Sequence, residues 1–129
     1  MGFERVFSGA PWESEVGYCR ALRHGDLIFV TGTAPVDEDG GVYAGGDGYE
    51  QARRCLQLIE EALGRLGADR TSIVRTRMFV TDISRWALFG RAHAEFFADH
   101  PPCTTMVEVS RLIHADMMIE IEADAIVTS

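Results

Sequence analysis

Between positions 48 and 66 apolar residues recur every three or four places, and between 73 and 80 they recur every second place. Ala52, Cys55, Leu56, Ile59, Ala62, Leu63 and Leu66 therefore share one stripe of a helix, with Gly67 placed to stop it. In the segment after it, Val74, Thr76, Met78 and Val80 alternate with Arg75, Arg77 and Phe79, as on a strand with one covered face. A period of 3.6 followed at once by a period of 2 marks a helix that crosses over a sheet to reach its next strand. This constraint leaves few folds open.

The pattern repeats downstream. A second helix is expected from Ser84 to Ala98, capped near Asp82 or Ser84 and ended by Pro101-Pro102. Its apolar positions are Trp86, Phe89, Ala92 and Phe96, widened by Leu88 and Phe97. Upstream, strands are expected over Glu4 to Phe7, Val16 to Leu22 and Leu27 to Thr31, the last two joined by a tight turn at His24-Gly25-Asp26. Glycines at 40, 41, 45, 46 and 48 read as a long turn, and Thr104 to Val109 and Met117 to Val127 complete the strands. The order is β-β-β-α-β-α-β-β. Right-handed crossovers place both helices on one side of a mixed six-stranded sheet, an α+β domain spanning residues 1–129. The other face is left uncovered, with Met106, Met118 and Ile126 available to it, and burial by another subunit is the expected outcome.

Charge and length narrow the function. Twelve basic residues against twenty acidic give a net charge of −8, and no basic cluster stands out, so nucleic-acid binding is not expected. No apolar run approaches the roughly 18 residues of a membrane span, and the opening residues lack the basic flank and apolar stretch of a signal peptide. A cytoplasmic protein without a membrane partner is expected. Cys19, Cys55 and Cys103 show no metal-knuckle spacing, and no cofactor is implied. Glu120, Glu122 and Asp124 lie along one strand face, where they read as a polar row and not as a metal site.

Several segments, in order, resemble the RidA-like family, also called YjgF/YER057c/UK114. Gly17-Tyr18-Cys19-Arg20-Ala21 is similar to the family's Gly-Pro-Tyr-Ser-Gln-Ala, without the proline. The run from Ile28 to Pro35 resembles the strand ending in Ser-Gly-Gln-Ile-Pro, and Gln51 opens the first helix as the family's glutamine does. Ile73 to Asp82, Val107 to Leu112 and Ile119 to Ala123 resemble the remaining signatures, so the likeness runs from about Val16 to Val127. It implies a chorismate-mutase-like fold, a homotrimer with ligand clefts between subunits, and hydrolysis of reactive enamines or imines to a keto compound and ammonia.

The resemblance also exposes departures. An arginine that holds the substrate carboxylate in active relatives is absent from Pro101-Pro102-Cys103-Thr104-Thr105-Met106-Val107. Thr104 takes its place in an ungapped alignment, and Cys103 takes it if one residue is inserted. The family's second-helix asparagine aligns with Gly90 and a neighbouring aromatic with His93. Losing a bidentate guanidinium removes a charge-assisted contact. Tyr18, Gly32, Thr33 and Glu120 remain at cleft positions. The expected site therefore has Glu120 and Tyr18 as catalytic residues, with Gly32, Thr33, Cys103, Thr104, Thr105 and His93 around the ligand. Glu120 would orient a water, and backbone N–H groups near Thr33 or Thr105 would hold a carbonyl or oxyanion. Cys103 reads either as a packed thiol or as a nucleophile activated by His93 or His114. The ligand class is an imine, keto acid or carbonyl compound, with an altered substrate for want of the arginine. A non-catalytic ligand-binding or regulatory trimer is the alternative.

Overall fold

The structure is a computed structural model that describes residues 2–128. Met1 and Ser129, the ends of the expected single-domain span, lie outside the described residues. Strands β1 (Glu4–Val6), β2 (Ala21–His24) and β3 (Leu27–Thr33) are followed by helix α1 (Gly48–Arg65), strand β4 (Ile73–Val80), helix α2 (Trp86–Phe97), and strands β5 (Cys103–Glu108) and β6 (Ile119–Ile126). They form one six-stranded sheet in the order β1-β2-β3-β6-β4-β5. Only β4 and β5 run parallel, joined through α2, and every other pair is antiparallel. The expected α+β architecture and element order are both present.

Helix α1 forms where its stripe demands. Asp47 caps it by accepting from the Glu50 N–H, and Ala68 and Gly67 donate back to the carbonyls of Leu63 and Gly64 at its end. The stripe residues Ala52, Cys55, Leu56, Ile59 and Leu63 are fully buried against Ile28, Val30, Ile119, Ile121 and Ala123 of the sheet. Because side chains alternate along a strand, the residues between these face the other way. That face carries Leu27, Phe29 and Ile126, which are 44%, 50% and 42% exposed, together with Glu120, Glu122 and Asp124. Arg77 of β4 bridges Glu122 and Asp124 at 3.3 and 3.1 Å, so much of the open face is an ion-paired surface.

Four expectations need correction. The strand expected over Val16 to Leu22 begins only at Ala21, because Glu13–Gly17 winds into a single π-turn. Its cause is Glu13, whose buried carboxylate accepts from the N–H groups of Ser8 and Gly9 and from the Ser8 hydroxyl. In β4, Val74 leaves the Thr76 face because a bulge against β6 turns Ile73 inward instead. Met106 and Met118 do not lie on the open face. Met106 stands beside buried Met78 in register, and both methionines pack against the core under the helices. Finally, α2 begins after a 3-10 turn over Ile83–Arg85, capped by Asp82, and Trp86 in its first turn is 62% exposed. Phe89, Ala92 and Phe97 carry the packing of that helix, and Leu88 stays outside.

Candidate functional site

Glu120 stands on β6 of the open face, paired across from Phe79. The carboxyl is half-buried, and this desolvation raises its pKa, a shift that Glu122 reinforces and the Arg20 charge opposes. Two features shape the place of the carboxyl. Gly32 sits over it: a Cβ at that position would lie 2.6 Å from Glu120 Oε2 and 3.2 Å from Cδ. The strand end beneath is fixed by fully buried Gln51, whose amide donates to the Asp116 carbonyl at 2.9 Å and accepts from the Met118 N–H at 2.8 Å.

The segment carrying Tyr18 is tied to the same corner. The register of β3 against β6 shifts between Val30 and Thr33, and the residues of this bulge are each fastened. Thr31 Oγ1 donates to the Cys19 carbonyl, Thr33 Oγ1 donates to the Thr31 carbonyl, and Arg20 Nη2 donates to the Gly32 carbonyl at 2.6 Å. The Arg20 guanidinium lies 6.0 Å from the centre of the Tyr18 ring. Tyr18, Arg20, Gly32 and Glu120 thus belong to one corner of the sheet. Arg20 was not singled out from the sequence, although it stands in the motif where the family has glutamine.

The remaining candidates lie elsewhere. Thr33 is buried on the helix-covered side, in register with Ile121, so its backbone and not its hydroxyl is what it offers the corner. His93 is buried between α2 and the sheet. Its Nε2 lies 2.8 Å from Thr76 Oγ1, which in turn donates to Thr104 Oγ1 at 2.7 Å. Thr104 is exposed on the edge strand β5, and Cys103 and Thr105 point to the opposite face, in register with Arg75 and Arg77. Cys103 is an exposed free thiol, and neither His93, bonded to Thr76, nor His114, whose Nδ1 accepts from the Asp116 N–H, is bonded to it. The activated-nucleophile reading is not supported. Among the described residues no group of His, Cys, Asp and Glu is arranged to hold a metal ion, and no helix is long and apolar enough to cross a membrane.

The candidates therefore fall into two groups within one chain. One is the Tyr18–Gly32–Glu120 corner, on the β2, β3 and β6 side. The other is the His93–Thr104–Thr105 edge, on β5 and α2, with β4 between it and β6.

Two measurable consequences follow. Gly32 is not in the left-handed region, so Gly32→Ala leaves the backbone unstrained and acts by pushing the Glu120 carboxylate aside. Melting temperature should change little while any turnover at this site falls, by up to about 100-fold for a displacement near 1 Å. His93 is pushed down to about 4 from an ordinary 6.5 because burial disfavours the charged ring. A depressed folded value means the unfolded chain binds the proton first. Stability from this residue is thus complete above pH 6.5 and is lost as pH falls toward about 4. His93→Gln should lack that part of the acid-side fall in melting temperature.

Four likenesses to known proteins bear on the site. The model of the family described as Endoribonuclease L-PSP matches residues 9–127. A solved structure of a Mycobacterium tuberculosis protein, described as a member of the YjgF/YER057c/UK114 family, superposes with a TM-score of 0.89 at 45% identity, covering 98% of this chain and all of that one. An uncharacterized protein of Streptomyces coelicolor is 35% identical over 121 residues, 94% of this chain and 90% of that protein. A Salmonella typhimurium protein named 2-iminobutanoate/2-iminopropanoate deaminase is 33% identical over 112 residues, 84% of this chain and 86% of its own length.

Proposed function

The chain belongs to the Endoribonuclease L-PSP family, the YjgF/YER057c/UK114 group, and from that premise we propose that it is a hydrolytic imine deaminase with a shifted substrate, working in clefts between the subunits of a homotrimer. The observation that carries this reading is the half-buried Glu120 under Gly32, a carboxyl given room by the glycine and with its pKa raised by burial. Hydrolysis of an imine adds the oxygen of water to the C=N carbon, moves protons to nitrogen, and breaks the C–N bond to give a carbonyl compound and ammonia. A carboxylate that takes a proton from the water and returns it to the departing nitrogen suits both steps. The division of the candidates into two groups supports the trimer: the exposed β5 edge of one subunit meets the Tyr18–Glu120 corner of the next, across an open sheet face that still exposes Phe29 and Leu27.

The shift of substrate rests on Thr104. An uncharged hydroxyl stands where relatives carry the guanidinium that grips a carboxylate. The same replacement favours a second reading, a non-catalytic ligand-binding trimer. RNA cleavage is a poorer fit, because the chain carries a net charge of −8 and Arg77 is already paired with Glu122 and Asp124.

The test generates imines of 2-keto acids and of their amides in situ and lets semicarbazide compete with the protein for them. The expected result is less semicarbazone when protein is added, for at least one amide-type imine, from a species with three times the protomer mass. If no imine disappears faster with the protein present, the deaminase reading fails and the ligand-binding reading replaces it.

A further inference from the structure

We propose that the Thr104 hydroxyl, oriented from within by His93 and Thr76, is a recognition donor that selects an uncharged carbonyl oxygen, such as that of an amide, over a carboxylate. The inference rests on the cleft reading and specifies the chemistry of what the cleft holds. His93 Nε2, Thr76 Oγ1 and Thr104 Oγ1 form a chain with spacings of 2.8 and 2.7 Å. A hydroxyl owns one proton. With Thr76 donating to Thr104, only its lone pairs remain for His93, an arrangement that requires the neutral ring to hold its proton on Nε2. Thr104 receives that bond on oxygen and keeps its own proton unspent. His93 and Thr76 are buried, whereas Thr104 is exposed on β5, which has a neighbouring strand on one side only. Two interior polar side chains thus end in one free donor at the surface.

The surroundings decide what that donor accepts. Around α2 the arginines are committed: Arg70 to Glu60, Arg85 to Asp82, and Arg91 to the face of the Tyr49 ring. Arg75 lies on the opposite sheet face, in register with Cys103 and Asp124. A carboxylate at Thr104 would give up water for one neutral hydrogen bond and no counter-charge from its own subunit, and across the cleft the Arg20 guanidinium is already donating to the Gly32 carbonyl. A neutral carbonyl needs only the one donor.

The test measures binding of pyruvamide and of pyruvate to the intact protein and to Thr104→Val, Thr76→Val, Thr104→Arg and Glu120→Gln variants. The expected result is tighter binding of the amide by the unaltered protein. Thr104→Val should weaken amide binding by about tenfold, as for one lost hydrogen bond, and bring the amide-to-acid ratio near one. Thr76→Val, which keeps the Thr104 hydroxyl but frees its orientation, should lower that ratio part of the way. Thr104→Arg should invert it. Glu120→Gln should leave the ratio unchanged. A preference for pyruvate in the unaltered protein, or a ratio that Thr104→Val does not move, overturns the inference. Should Thr104→Val move nothing while an imine still disappears faster with the protein present, the relay idea fails and the cleft reading survives. Should Thr104→Val move the ratio in a species with the mass of a single protomer, the donor stands and the shared cleft falls.

Discussion

Phe89→Ala is expected to be the most destabilising single substitution in the domain, by about 3–5 kcal/mol. Phe89 is the largest of the fully buried side chains. Its ring is the contact between the middle of α2 and the first residue of α1, and a Cβ at Gly48 would lie 2.8 Å from Phe89 Cε1. Met118 reaches the same point, 3.4 Å from that position, so the ring also supports the approach to β6. Removing it empties a site walled by two helices and a strand, none of which can close in without shifting the others. Against a total of about 5–15 kcal/mol, the loss is a large share of the stability. Denaturant midpoints would check it, and melting should fall by roughly 10–20 °C. Gly48→Ala should destabilise the unaltered protein by about 1–3 kcal/mol through overpacking. In the Phe89→Ala background the same methyl enters the cavity, so its cost should shrink or change sign. Equal costs in both backgrounds would mean that ring and glycine do not meet.

This packing was legible in the sequence because a helical stripe is local information. Every residue of the α1 stripe is buried, and Phe89 and Ala92 likewise. What was illegible depended on neighbours distant in sequence. The Val16 to Leu22 region alternates well enough for a strand, yet a buried Glu13 carboxylate gathers the preceding N–H groups and winds the chain into a turn. Val74 obeys the alternation of its own strand and is turned out by a bulge that only pairing with β6 creates. The faces of Met106 and Met118 depend on register, and Cys103-Thr104-Thr105-Met106 has no apolar alternation from which to read it.

The site divides in the same way. Glu120 and Tyr18 are identified through resemblance, and so is Gly32, whose close approach to Glu120 means that any side chain there displaces the carboxylate. Arg20 and Thr76 were missed. Arg20 sits where the motif it resembles has glutamine, and Thr76 looks like any threonine on a covered strand face. Its link to His93 spans 17 positions and its link to Thr104 spans 28. Nor does any sequence pattern indicate that Thr104 and Glu120 face opposite sides of the sheet. A single subunit keeps them apart, which is why the proposed cleft needs a second.

Glu120→Gln is expected to abolish most of the turnover of whichever imine the protein hydrolyses, with a loss of about 100- to 10,000-fold, the usual worth of a general base. Glutamine keeps the size of the side chain and its place under Gly32, so binding should change little and the loss should fall on kcat. It has no site that takes a proton from water at neutral pH. The pH profile supplies an independent check. Burial raises the pKa of this carboxyl, so activity that needs the carboxylate should rise with pH through a midpoint above the ordinary glutamate range. Stability should run the other way. A folded pKa above the unfolded one means the protonated carboxyl favours folding, an advantage complete below the unfolded value and lost as pH rises through the folded one. The variant escapes that loss. At neutral pH it should melt no lower than the unaltered protein, and the two should converge in acid as Glu120 takes up its proton. An enzyme that loses its rate while holding or gaining stability at pH 7 has given up a group placed for chemistry at a cost to the fold. If Glu120→Gln instead lowers both rate and melting temperature, the carboxylate is a structural partner of Arg20, and the base must be sought elsewhere.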